Sequence, residues 1–138
     1  MAYCTQAQLD TRYGAQMLVE ISDRDDVPGG TVDAALIARA ITDADALIDG
    51  YLKPNYALPL AVTPPLVTDL SQRIAIYYAH ANVASEKITR DYESALRQLK
   101  DISAGVLKLD AAGIEPAGGG ALEVLTNEEE KPVVLEID

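Results

Sequence analysis

Residues 64–83 read PPLVTDLSQRIAIYYAHANV, and this stretch decides the fold. Two prolines open it, at a helix start, where the missing backbone N–H costs nothing. Leu66, Leu70, Ile74, Tyr77 and Ala81 then recur at steps of four, four, three and four. Val67, Ile76, Tyr78 and Val83 widen that stripe until little of it is purely polar. A helix apolar on most sides is a central one, with neighbours packed on more than one face. The spacing therefore predicts a helix from Pro64 to near Ala84 at the middle of an all-α bundle of about four helices.

Upstream, residues 33–52 carry Leu36, Ile37, Ala40, Ile41, Ala44, Leu47, Ile48 and Tyr51 as a broad apolar stripe. Asp33 stands at the start, where a carboxylate suits the helix dipole. Asp43, Asp45 and Asp49 are expected mostly off the stripe. Gly50 weakens the helix by about 1 kcal/mol relative to Ala, so a close packing contact or a bend is expected there. Before it, residues 5–13 predict a short helix with Thr5 and Gln8 as a capping box and Gly14 as the stop. A second short turn covers Ala15 to Ile21. Downstream, residues 86–103 place Ile88, Tyr92, Ala95 or Leu96, Leu99 and Ile102 on one side. Glu86–Arg90, Glu93–Arg97 and Arg97–Asp101 are spaced for ion pairs. Gly105 marks the end, with Val106, Leu107 and Leu109 packing back.

Between the two long helices lies LKPNYALPLAVTPP, residues 52–65, a proline-punctuated arm. Its Tyr56, Leu58, Leu60 and Val62 alternate with smaller residues. It reads either as a strap across the bundle or as an exposed binding loop. With Tyr51 they are the candidate interface residues. From Asp110 the chain turns Gly-rich and acidic. Two β-prone runs, at 122–125 and 133–137, predict a marginal hairpin or a strand docked on another subunit; a disordered tail suits the composition equally. Val133, Val134 and Leu135 complete the interface candidates. The expected division is a helical domain at 1–109 and a tail at 110–138.

Composition narrows the functions. Of 138 residues 49% are apolar, enough for one core, and with no Phe or Trp the aromatic part must come from seven tyrosines. The net charge of −11 argues against gripping exposed nucleic acid, which needs clustered Lys and Arg. That charge divides as −6 over residues 1–50, +2 over 51–109 and −7 over 110–138. One copy's acidic surface is thereby free to meet another's more basic middle. The single Cys4 cannot form an internal disulfide, and a reducing site of synthesis is the default. No apolar run approaches the length of a membrane span.

Chemistry is hard to find. His80 is the only histidine and lacks the convergent partners that acid–base or metal work needs. Asp23, Asp25 and Asp26 suggest calcium, but counting from Asp23 the sixth position is Pro28 and the twelfth Ala34, against the required Gly and acid. Neither Gly29–Gly30 nor Gly118–Gly120 has the Lys–Ser/Thr pair of a phosphate loop. No catalytic residue, cofactor or metal site is expected. The tyrosines read as core or interface residues.

The order of segments carries a resemblance. It comprises Tyr3-Cys4-Thr5 with Leu9 and Arg12-Tyr13-Gly14, Ile21-Ser22-Asp23-Arg24-Asp25, Ile48-Asp49-Gly50-Tyr51-Leu52, Tyr56-Ala57-Leu58-Pro59-Leu60, Pro64-Pro65-Leu66 with Tyr77-Tyr78, and Asp91-Tyr92 through Ile102. Over residues 1–109 the chain resembles the Mu-like phage and prophage family of small proteins with a domain of unknown function, which are compared with head–tail connectors. Asp26-Val27-Pro28-Gly29-Gly30 departs from the acidic loop usual in such proteins, so no cation site carries over. The resemblance implies a helical adaptor at the virion neck, many copies of which form a ring that continues the DNA channel. Its implied partners are further copies of itself, the portal protein and tail-side connector proteins, with no specific nucleic-acid binding and no membrane. The alternative reading is a small intracellular protein-binding or regulatory module. An enzyme would need a pocket around His80 or the Asp23–Asp26 loop.

Overall fold

A computed structural model describes residues 2–24, 29–81 and 83–109. They form five helices: α1 (Gln6–Tyr13), α2 (Ala15–Ser22), α3 (Ala34–Leu52), α4 (Pro65–Ala79) and α5 (Glu86–Ser103). Thus the bundle is all-α, with five helices rather than about four, because the turn after Gly14 is a full helix. The hairpin expected in the tail lies outside the described residues.

Local chemistry sets most boundaries. Thr5 Oγ1 accepts from the Gln8 N–H and Gln8 Oε1 from the Thr5 N–H, so the capping box at the start of α1 is complete. Gly14, at φ 94°, supplies the left-handed turn between α1 and α2. Asp33 caps α3 through the Leu36 N–H, and Ser85 caps α5 through the Ile88 N–H. Gly105, at φ 82°, ends α5 while its N–H bonds the Ile102 carbonyl.

The helix expected at the centre is there: α4 packs on α1, α3 and α5, and α3 shares the middle, touching all four other helices. Ile37, Ile48 and Leu52 of α3 meet Val67, Leu70, Ile74 and Ile76 of α4 and Leu99 and Ile102 of α5 in one core, all fully buried. Burying each such side chain contributes about 1.5–3 kcal/mol before the entropy of ordering it. Asn55, three residues past α3, donates from Nδ2 to the Ile102 and Ser103 carbonyls, both at 2.7 Å. So α3 and α5 finish at the same end of the bundle, where α4 begins.

Several expectations need correction. α4 stops at Ala79, not near Ala84. Its last carbonyls have other partners: the Arg24 guanidinium donates to Ala79 O, and His80 Nδ1 lies 2.8 Å from Ile76 O. Ala81 and Val83 fall outside the helix, and Val83 is 96% exposed. Gly50 is exposed, and a Cβ built there would meet nothing within 4 Å, so no close contact explains it. Asp45 is buried rather than off the stripe. On α5, Glu86–Arg90 forms as expected, but Lys87–Asp91 is the second pair, and neither Glu93–Arg97 nor Arg97–Asp101 is an ion pair. Leu109 packs back into the core while Val106 remains 78% exposed.

Candidate functional site

The arm between α3 and α4 lies largely on its own bundle. Tyr56 is half-buried, and its hydroxyl accepts from the Leu109 N–H at 2.8 Å, joining the arm to the chain beyond α5. Leu58 packs against the core, and Leu60, expected at an interface, is 3% exposed and belongs to that core. Tyr51 is half-buried on the last turn of α3. Of these five candidates only Val62, at 40%, is exposed. Val133, Val134 and Leu135 lie outside the described residues. The structure thus brings Tyr56 and Leu60 to the bundle, and leaves Val62 as the arm's free aliphatic side chain.

A buried polar cluster escaped the sequence reading. Asp45 Oδ2 accepts from the Tyr3 N–H at 2.9 Å and Oδ1 from the Ser71 hydroxyl at 2.7 Å. Ser71 Oγ also lies 3.1 Å from Cys4 Sγ, and the Tyr3 hydroxyl donates to Asp49 Oδ1. These bonds hold residues 3 and 4 across α3 and α4. The signal was present, since Asp45 stands four residues after Ile41 and three before Ile48, inside the apolar stripe. Burial raises the Asp45 carboxyl above its ordinary value, with the Ser71 hydroxyl and the Tyr3 N–H pulling the other way. The Tyr3 hydroxyl goes up by burial and then by its bond to Asp49. Cys4 is 2% exposed, and burial raises its thiol, which is the opposite of what a nucleophilic cysteine needs. The cluster is a structural clasp.

The remaining polar groups also hold the fold. Asp23 accepts from the Gly30 N–H at 2.8 Å and so ties the end of α2 to residue 30. His80 is the C-cap of α4, with Nδ1 against a backbone carbonyl. Among the described residues no group of three or more His, Cys, Asp or Glu side chains is placed to hold a metal ion. Tyr77 stacks on Tyr92 with centroids 4.0 Å apart and planes 3° from parallel, and Tyr78 tilts against Tyr92 at 5.9 Å. Burial and then Tyr92 push the Tyr78 hydroxyl up to about 12. These three tyrosines form the seam between α4 and α5.

An open cleft of about 380 Å³ lies beside α3, lined by Arg24, Asp33, Leu36, Arg39, Asp43 and Tyr78. Arg24 is engaged there by the Ile21 and Ala79 carbonyls. Two cations and two carboxylates line it, so it offers a mixed-charge surface.

A family model described as "Bacteriophage Mu, Gp36" matches residues 3–124. Gene product J of Escherichia phage Mu is 34% identical over 105 residues, which cover 76% of this chain and 74% of the relative. Mu-like prophage FluMu protein gp36 of Haemophilus influenzae is 29% identical over 125 residues, covering 88% of this chain and 87% of the relative.

Proposed function

Because the chain belongs to the bacteriophage Mu Gp36 family, we propose that it is a non-enzymatic structural connector at the junction of a phage portal and tail. Many copies form a ring there that continues the DNA channel. The observation that carries the reading is the match to a phage family over residues 3–124, made by a helical bundle whose buried polar side chains hold the fold together. The net charge of −11 adds support, since a channel wall that lets DNA slide should not neutralise its phosphates. A ring needs a heterologous contact that closes on rotation. Val62 and the mixed-charge cleft beside α3 are the surfaces offered to it.

Mass photometry and negative-stain microscopy test this, with the chain alone and mixed with the portal protein and tail-side proteins of its own phage. Rings or defined complexes with a virion component are expected. A chain that ignores both partners under assembly conditions, and binds a soluble host protein instead, would overturn the connector in favour of a regulatory module. Replacing His80 by Gln should leave assembly unchanged, since His80 serves as a cap.

A further inference from the structure

We propose that segment 122–137 of this chain docks on the cationic end of its own bundle, around Lys53, Lys100, Lys108 and Val106. The surface is assembled by bonds already described. Asn55 ties the chain after α3 to the last carbonyls of α5, and Tyr56 receives the Leu109 N–H. The Val106 and Leu107 N–H groups both donate to the Asp101 carbonyl. Residues 53–56 and 100–109 therefore form one face, at the end where α3 and α5 finish. Lys53, Lys100 and Lys108 are exposed, and none is ion-paired among the described residues. One exposed carboxylate, Asp101, stands among them. Val106 gives the face an aliphatic centre, 78% exposed.

The occupant follows from charge and connection. Segment 122–137 holds five glutamates against one lysine, with Leu122, Val124, Leu125, Val133, Val134, Leu135 and Ile137 between them. That composition complements a lysine-rimmed aliphatic surface. Leu109, the last described residue, is itself fixed at this face. The twelve residues 110–121 that lead to the segment include four glycines. Twelve residues can span at most about 40 Å, enough to bring the segment back onto this face, so it meets its own bundle at an effective concentration of about millimolar. At micromolar protein this favours its own bundle over a second copy. Docked, the segment covers Val106. The inference stands independently of the connector reading.

A glutamate-specific endopeptidase tests it on the full chain, with cleavage followed after Glu123 and after Glu128, Glu129 and Glu130. A free peptide of residues 110–138 in the same tube is the reference. At low salt the chain should be cut several-fold more slowly than the peptide. High salt should remove that protection, and so should the K53E/K100E/K108E variant, whose fold is checked by its helical circular dichroism. An E128Q/E129Q/E130Q variant, read at Glu123, should also lose protection and keeps the test open if the lysine variant misfolds. Equal rates for chain and peptide, or protection indifferent to both variants, would refute the docking. Protection that grows with protein concentration would refute it too, since the contact would then lie between copies.

Discussion

Asp45 is the side chain on which the N-terminal segment depends. Its two oxygens satisfy the Tyr3 N–H and the Ser71 hydroxyl, both buried with it. Asp45→Ala leaves both donors unpaired, and each such loss costs about 1–3 kcal/mol. A drop of about 3 kcal/mol in the free energy of urea unfolding is expected. The same residue gives a pH signature. Burial holds its folded value above the ordinary 3.8. The proton-linked part of its contribution is therefore whole below 3.8 and is lost as pH rises through the raised folded value. The stability of the wild type relative to Asp45→Asn should fall across that window and then level off. Chemical denaturation at a series of pH values measures this, and a difference that instead grows with pH would contradict the burial argument.

Among the elements, α3 shows what patterning revealed and what it hid. Its stripe was plain because Ile37, Ile41, Ala44 and Ile48 recur at helical spacing. Asp45 occupies one place in that register, but its charge disguised it, since its partners Tyr3 and Ser71 come from distant segments. The capping box at Thr5 and the acidic start at Asp33 were legible because helix-end chemistry is local. The stop of α4 at Ala79 was not. Besides the local His80, it involves Arg24, which lies just past α2 and donates to the Ala79 carbonyl. The leucine of the arm was misplaced for a similar reason: alternation showed an extended segment, but only tertiary packing shows that Leu60 faces inward. Gly50 yields a prediction at this scale. Nothing lies where its Cβ would be, and φ is not left-handed there, so only helix propensity acts. Gly50→Ala should stabilise the protein by about 0.5–1 kcal/mol, read as an increase in Tm.

For the whole molecule, folding and assembly should separate within one arm. Leu60→Asp buries a charge in the core, and loss of the cooperative thermal transition is expected. Val62→Asp places the same charge on an exposed site. It should leave Tm nearly unchanged while weakening ring or portal-complex formation in mass photometry. Equal assembly by the Val62→Asp variant and the wild type would remove Val62 from the contact.

The amide of Asn55 reaches two carbonyls that are nearly fifty residues away in sequence. The final turn of α5 is thus stitched to the chain leaving α3 and cannot fray alone. In hydrogen–deuterium exchange, the amides of that turn should be as slow as those in the middle of the helix, opening only when the bundle opens. Asn55→Ala should release them to rapid local exchange while the amides of α4 keep their protection.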